Sequence, residues 1–527
     1  MFNSTFASGA VSAPSYPSEK YLVVGKLMSC LLSALIIWRL WRFTISPALH
    51  PSHPKEFPSW TPCHAAAFFR DSNGLLSQAR KHFDHSKAPF ALTVLGMTFY
   101  VVTQSKHSAE VYRNTETLSF EDFVQGLMRT NGNRDSAIRR MYTSLPVSKI
   151  GFPNPQGESL GVLAQKMHIH QLHPGKNLTI LQERVHAWIN HHLNWGSIQQ
   201  STSPSSKGST HIELPLYRWC SDYFVRLGQH VYFGHILAEV DHDLPNYFFQ
   251  FDELIWKMLY QYPGFLSYDM SVPRSRIITS LRKYFTIPQA ERKEGAAWLI
   301  NSMEDEAKAI GIDEENLAII MFHLYFAINT NTRKTAFWLL TYLIYNPPLL
   351  AAYRQETEPA FAGHTLVNPF YIQDAANCPQ VDAIWHETLR LSGWSASVRL
   401  VTQDTVIGGK LMRKGNRVLV PHRLLHFDES LFGERPNAFR PERWQRGNLS
   451  RSSSWRPFGG GKTMCSGRFL ARFSVTTFVA TLLRRFDLEV VGNPPFPQAD
   501  EGRPVLGTMS IKEGHDFYVR LLPREIE

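Results

Sequence analysis

Residues Trp455 to Leu470 read W-R-P-F-G-G-G-K-T-M-C-S-G-R-F-L, three glycines followed by a single cysteine, and the apolar spacing from Phe469 to Leu483 then predicts a helix. This places Cys465 at a helix N-terminus, where orphan N–H groups and the positive end of the dipole favour thiolate, the metal-binding form of cysteine. Gly459, Gly460 and Gly461 let backbone approach a flat partner closely, and Gly467 allows tight packing or an unusual φ just past the sulfur. Phe458 would shield the sulfur from water. The plain alternative is a buried cysteine beside a glycine-rich turn, since free cysteine is often a small core residue. The other cysteines, Cys30, Cys63, Cys220 and Cys378, are widely spaced, with no C-x-x-C pair and no clustered Cys/His ligands. That pattern argues against a disulfide framework and suits a reducing compartment.

At 43% hydrophobic and 13% aromatic residues, the chain suits a globular protein with a roomy apolar interior and excludes disorder. The net charge of +10 raises nucleic acid as a partner, but Lys and Arg are scattered rather than gathered, so no nucleic-acid binding is expected.

Tyr21 to Trp38 is an apolar run with one charge, Lys26. As a helix it spans about 27 Å against a hydrocarbon core of roughly 30 Å. Lys26 can snorkel, Trp38 and Trp41 fall where an aromatic belt sits, and Arg39 and Arg42 outweigh Lys20, which puts the C-terminal body in the cytosol. A cleaved signal peptide is disfavoured by the missing small-residue cleavage site. Pro47, Pro51, Pro54, Pro58 and Pro62 then predict a stiff extended tether. The expected organisation is a tail over 1–20, a single-pass anchor over 21–42, a Pro-rich tether over 43–62 and one catalytic domain over 63–527. Gln199 to Thr210, rich in Ser and Thr, reads as a surface loop.

The segment F-G-G-G-K-T-M-C-S-G-R resembles the haem-binding signature F-x-x-G-x-x-x-C-x-G of the cytochrome P450 family. One position departs: the family usually has Arg or His two residues before the cysteine, to meet a haem propionate, and here Thr463 stands there. Two further motifs carry the resemblance. Glu387 and Arg390 lie in H-E-T-L-R, which alone could be a surface ion pair contributing at most about 1 kcal/mol. About fifty residues on, F-R-P-E-R-W (Phe439 to Trp444) is similar to the family's P-E-R-F segment. The resemblance implies a buried triad of Glu387, Arg390 and Arg443 that supports the haem pocket from the cysteine side. It also implies a propionate-binding role for Arg399, which could otherwise be a strand-edge charge. The family's W-x-x-x-R on an early helix is not evident, and Lys166 and His170 are the nearest basic residues.

The implied fold is mainly α with smaller β-sheets, the cytochrome P450 fold, preceded by one N-terminal transmembrane helix. The implied cofactor is haem b (iron protoporphyrin IX) with Cys465 as axial thiolate, fed by electrons from NADPH through a flavoprotein reductase. Lys462, Arg468, Arg472, Arg484 and Arg485 would form the basic docking patch, unless they are simply a solvated face. The implied location is the endoplasmic reticulum membrane, with the catalytic domain cytosolic. A lipophilic substrate such as a sterol, terpenoid or other secondary metabolite follows from the anchor and the aromatic interior. Segments around Phe120 to Met128, Tyr325 to Ala327, Trp394 to Val398 and Gly507 to Ser510 fall where the family lines its pocket.

Asp313 is an N-cap candidate for a helix running to Asn346, roughly 50 Å long, stopped by Pro347 and Pro348. In the family this helix carries A/G-G-x-D/E-T-T, whose acid and alcohol deliver protons. Here the aligned stretch is A-I-N-T-N-T, Ala327 to Thr332, with Thr330 in the acid position, Asn331 in place of the alcohol, and Thr332 next. A polar interruption in an apolar helix is either a kink or a site. The longer string A-I-N-T-N-T-R-K-T-A-F-W resembles the branch with bile-acid sterol hydroxylases and prostacyclin synthase. Three functions are therefore kept: a reductase-dependent monooxygenase first, a reductase-independent haem-thiolate isomerase or dehydratase second, and a non-catalytic haem or lipid-binding membrane protein third.

Overall fold

A computed structural model of the chain describes residues 19–147, 151–201, 210–445, 449–504 and 507–525. It opens with a helix, α1 (Glu19–Leu40), that passes through a π-turn at Trp41–Ile45 into a last helical turn, Ser46–Leu49. The rod Tyr21–Leu49 is long and apolar enough to cross a bilayer, with a mean hydropathy of 1.9 and none of that stretch buried inside the protein. The helix thus runs past the expected boundary at residue 42, and Ser46, which precedes Pro47, is helical (φ −58°, ψ −45°) rather than extended. The wide π-turn accounts for this, because it has already loosened the hydrogen-bond ladder where Pro47 has no N–H to give.

The expected tether is also not free. Arg42 donates to Glu56 at 2.6 and 2.7 Å, to Thr93 Oγ1 at 3.0 Å and to the Pro62 carbonyl at 2.6 Å. Arg39 donates to the Ser59 carbonyl and lies 4.1 Å over the Trp60 ring. The foot of the rod is clamped to the body.

Lys55–Glu56 forms β1, followed by β2 (Phe90–Val94), β3 (Met97–Val101), β4 (Leu118–Ser119), β5 (Ile212–Pro215), β6 (Ala396–Val401), β7 (Arg417–Pro421), β8 (Phe486–Val490) and β9 (Tyr518–Pro523). The main sheet has the order β1-β2-β3-β7-β6-β4, and β8-β9-β5 form a second, antiparallel sheet. Strand β6 is interior, with Arg399 opposite Val418 of β7.

The bulk is helical. The helices that bear on the site are α2 (Leu160–Leu172), α3 (Leu216–Phe233), α4 (Leu244–Leu259), α5 (Glu314–Asn329), α6 (Thr332–Ile344), α7 (Pro379–Ser392) and α8 (Arg468–Arg485). Asp313 caps α5 as expected, its carboxylate accepting the Asn316 N–H at 3.0 Å, and Glu314 and Glu315 add charge where the dipole favours it. The long helix expected to reach Asn346 is instead two, α5 and α6, separated at Thr330–Asn331. Both are buried nearly all round, as is α8, and each large apolar side chain so buried contributes about 1.5–3 kcal/mol. Of the expected surface loop, Gln199 to Ser201 end a helix, and 202–209 lie outside the described residues.

Candidate functional site

One cavity of about 1700 Å³ runs between the α5–α6 break and the loop carrying Cys465. Cys465, Phe458, Gly461, Gly467, Arg399, Thr330, Asn331 and Thr332, drawn from three stretches of sequence, all line it. Glu387, Arg390 and Arg443 do not; they stand behind the cysteine loop. The four segments expected at the wall contribute to it, except that Gln125, Gly126, Tyr325, Trp394 and Met509 do not line it. Tyr325 instead receives a hydrogen bond from Gln229, and Trp394 donates to the Leu391 carbonyl.

Cys465 precedes α8 by three residues, and its sulfur is open to the cavity. Its backbone N–H donates to Phe458 O at 2.9 Å, closing the glycine turn onto itself. The helix end acts on the thiol less than its position suggests. Burial pushes the Cys465 thiol above its ordinary value, and the N–H groups of Gly467 and Arg468 and the Arg468 charge pull it down without overcoming burial. Gly467 has an ordinary φ of −75°, and a Cβ there would lie 3.8 Å from the sulfur, an ordinary contact, so the expected unusual φ is not found.

Gly461 is different. Its φ is +62°, and a Cβ would stand 2.9 Å from the Tyr112 carbonyl. Gly461→Ala is expected to destabilise the fold by about 1–3 kcal/mol and to raise cofactor loss, which denaturation midpoints and cofactor content would measure.

Arg399 is 6% exposed, so it is no strand-edge charge. Its guanidinium donates to the Val398 carbonyl at 2.8 Å and to Thr463 Oγ1, which ties it to the position where the signature departs. It has no carboxylate partner among the described residues, and burial pulls its pKa down. Beside it, the Tyr112 hydroxyl meets Ser397 Oγ at 2.9 Å and His422 Nε2 at 2.8 Å, while His422 Nδ1 meets Ser395 Oγ at 2.8 Å. Burial, then the charges of Arg456 and Arg399, pull His422 down to about 3, so this imidazole is neutral.

Glu387 and Arg390 are both fully buried. Arg390 reaches Glu387 with two hydrogen bonds of 2.8 Å, and Arg443 Nε donates at 3.0 Å. Trp444 Nε1 at 2.8 Å and the Arg440 N–H at 2.9 Å complete the carboxylate's shell. Trp444 in turn packs on Trp455 with ring centroids 4.6 Å apart, which connects the cluster to the segment leading into the glycine turn.

At the break, Asn331 Oδ1 accepts the Thr508 N–H at 2.8 Å. That bond fixes the amide's orientation, because only the oxygen can accept, and leaves the NH₂ as the group available to the cavity. The Asn331 carbonyl still accepts from Thr335 N–H and Oγ1, both at 3.0 Å. The polar interruption is thus both a break in the helix and part of the cavity wall.

Two expectations are corrected. Lys166 pairs with Glu158, and His170 packs on Trp298 at 4.6 Å, so neither reaches the cavity. Gln165 and His168 of α2 do, Gln165 donating to the Lys462 carbonyl. The helical spacing of an apolar α2 could have shown that 164, 165 and 168 share a face. The proposed basic patch is also largely consumed: Arg472 bonds Asp382 at 2.5 Å, Arg484 bonds Glu358 at 2.9 Å, and Arg485 is spent on the Asn190 and Leu193 carbonyls. Only Lys462 and Arg468 of the five keep charge without an acidic or multiple-carbonyl partner among the described residues. Reasoning from motifs also missed Tyr112 and Asp252, which carry no local signature.

The family model described as Cytochrome P450 matches residues 232–514, more than half of the chain. Cytochrome P450 monooxygenase poxD of Penicillium oxalicum is 24% identical over 485 residues, covering 89% of this chain and 94% of that protein. The 7-alpha-hydroxycholest-4-en-3-one 12-alpha-hydroxylase of Homo sapiens is 28% identical over 291 residues, 50% of this chain and 58% of that protein. Beta-amyrin 11-oxidase of Glycyrrhiza uralensis is 27% identical over 210 residues, 39% of this chain and 41% of that protein.

Proposed function

The chain belongs to the cytochrome P450 family, and from that premise we propose a membrane-anchored monooxygenase that hydroxylates or otherwise oxidises a lipophilic sterol, terpenoid or other secondary metabolite. It is a haem-thiolate monooxygenase drawing electrons from a redox partner. In the proposed reading that partner is an NADPH-dependent flavoprotein reductase. The Tyr21–Leu49 rod anchors the protein in the endoplasmic reticulum, and the catalytic domain, 63–527, faces the cytosol.

The residues fit the cofactor. The cavity, at about 1700 Å³, exceeds the ~300–1,000 Å³ of pockets that hold one drug-sized ligand, which leaves room for a macrocycle and a substrate together. Arg399 is a buried guanidinium without a carboxylate partner among the described residues, a charge that a propionate would neutralise. The observation that carries the reading is the Cys465 sulfur opening into the same cavity as the broken helix. In this proposal Cys465 holds the haem iron, Arg399 and Thr463 hold a propionate, and Phe458 and the Gly459–Gly461 turn keep water from the sulfur. When bound, the haem activates dioxygen for insertion of one oxygen atom into an unactivated C–H bond. The Asn331 NH₂ orients water or the reacting oxygen by donating a hydrogen bond, and it cannot act as an acid. Apolar walls such as Phe123, Leu324 and Val398 favour a lipophilic guest and exclude bulk water. The substrate range follows relatives named for oxidation of sterols and of beta-amyrin.

Incubation of the full chain with a reductase decides the reading. Product formation that requires both oxygen and NADPH is expected; turnover without them would replace the monooxygenase with an isomerase or dehydratase. In the same assay Asn331→Ala is expected to lower product formed per NADPH about two- to tenfold, the equivalent of one hydrogen bond of ~0.5–1.5 kcal/mol. Unchanged coupling would remove Asn331 from the chemistry.

A further inference from the structure

Asp252 of α4 is buried with its side chain at 0% exposure, and two cations from the first turn of α6 meet it at one oxygen. Arg333 donates to Oδ2, and Lys334 Nζ lies 2.7 Å from the same atom. The Arg333 guanidinium is spent there: it also donates to Ser221 Oγ at 2.7 Å and sits 5.5 Å from the centre of the Phe249 ring. One guanidinium balances one carboxylate, so Lys334, only 5% exposed, is a buried charge in excess. Burying an ion costs several kcal/mol unless a counter-ion offsets it. No second acid pairs with Lys334 among the described residues. Asp516 lines the same cavity, but its carboxylate accepts the N–H groups of Tyr217, Arg218 and Phe517 at 2.8, 3.0 and 2.9 Å and pairs with no cation among the described residues. Glu253 and Glu513, also at the wall, are exposed to solvent.

The excess charge lies where a guest can meet it. Thr330, Asn331, Lys334 and Thr335 share one face at the helix break and line the cavity that Cys465 opens into, whereas Arg333 does not. An ammonium carries three N–H donors, and the one partner of Lys334 among the described residues is Asp252. Thr330 Oγ1 is buried without a hydrogen-bond partner among the described residues, so its O–H is left to donate as well. Asp252 Oδ1 is unpartnered too, which shows that the cluster is not a closed structural network. The helix adds polarity of its own. The N–H groups of Thr332, Arg333 and Lys334 open the 13-residue α6, and the Asn331 side chain does not cap them. The positive end of a helix favours an anion. Donors of three kinds thus belong to one wall of a largely apolar chamber, and the uncompensated charge selects an anion over an alcohol.

We infer that Lys334 anchors a carboxylate on the substrate, so that the guest is an acidic member of the proposed lipophilic class rather than a neutral one. The carboxylate accepts from the Lys334 ammonium and the Thr330 hydroxyl, while the apolar walls take the hydrocarbon body. Lys334 is here a specificity-determining residue. The inference rests on the monooxygenase reading and narrows its substrate to acids.

The test measures binding to the haem-loaded full chain, through the absorbance change when a guest displaces water from the iron. Two acids, dodecanoate and the tricyclic dehydroabietate, are titrated at neutral pH beside their methyl esters, which keep the hydrocarbon and lose the charge. In at least one pair the acid is expected to bind about tenfold or more tightly than its ester, the worth of a hydrogen bond to a charged group. Lys334→Met is expected to bring that preference below about twofold by weakening the acid and not the ester. Because this variant keeps the Asp252–Arg333 pair and removes only the excess ion, the unfolding midpoint of the haem-loaded chain should hold or rise. A clear fall in the midpoint would make Lys334 a structural member of the cluster and overturn the inference. So would equal binding of acid and ester by the unmodified chain, no absorbance change with any of the four, or an acid preference that survives in Lys334→Met. None of these readouts needs turnover. A chain that prefers the acid yet forms product without oxygen and NADPH loses the monooxygenase reading, and one that requires both but ignores the acid loses only the anchor.

Discussion

Cys465→Ser is expected to abolish the thiolate-type spectrum of the reduced carbonyl complex and to bring turnover to background, while the chain still folds. The two halves of that expectation have separate causes. The fold is indifferent because the side chain opens into the cavity, and the hydrogen bonds described at this residue are backbone ones, from its N–H to Phe458 O and from Arg468 to its carbonyl at 2.8 Å. The substitution should therefore move the unfolding midpoint of the cofactor-free chain by less than the equivalent of ~0.5 kcal/mol, as for sites free of packing or bonding. Function is not indifferent, because serine retains its proton at neutral pH and cannot push electron density toward dioxygen as sulfur does. A Cys465→Ser protein that kept its cofactor spectrum would mean that the iron is held elsewhere, and the assignment of the whole cavity would fall with it.

Glu387→Gln should produce the second large effect, this time on stability. The carboxylate is 0% exposed and accepts from Arg390, Arg443, Trp444 and the Arg440 backbone. An amide of the same size presents one accepting oxygen and an NH₂ that points at guanidinium groups which also only donate. Buried Arg390 and partly buried Arg443 would be left without their counter-ion. Removing one partner from a buried pair costs about 3–5 kcal/mol, or roughly two to three and a half orders of magnitude in the folding equilibrium. Because Trp444 links this cluster to Trp455, and Arg456 N–H donates to His426 Nε2 at 3.0 Å, the strain is expected to reach the glycine turn. Urea midpoints should fall, and cofactor should be lost faster than from the unmodified chain. Retention of both would reduce the cluster to an incidental contact.

Much of this architecture was legible in the sequence, and the reason differs by residue. Asp313 and the run after Phe469 announced their helices through capping and periodicity, which act over a few residues. The Glu387, Arg390 and Arg443 cluster was legible only because three separated motifs occur in a fixed order. What escaped depends on three-dimensional neighbours. Nothing local marks Asp252, an acid in an aromatic helix that reads as surface until Arg333 and Lys334 arrive from eighty residues on. The break at Thr330–Asn331 was visible as polarity but not as a true end of α5, because it is stabilised from outside by Thr508. Arg472, Arg484 and Arg485 looked like an open basic face since the acids and carbonyls that absorb them lie far away in the chain. The contacts that tie the tether to the body escaped for a related reason: proline content predicts extension but says nothing about Arg42 finding Glu56.

That last contact has a mechanical corollary. With the rod anchored as proposed, Arg39 and Arg42 at its base restrict its swivel, so a bilayer that sets the tilt of residues 21–49 also sets the attitude of the attached body. In that proposed arrangement the face turned toward the lipid, and hence the direction from which an oily guest arrives, is decided by one ion pair and the neighbouring Arg39 contacts rather than by diffusion of a leash. Cutting Arg42 from Glu56 would free the body to wobble without touching a single atom of the reaction chamber.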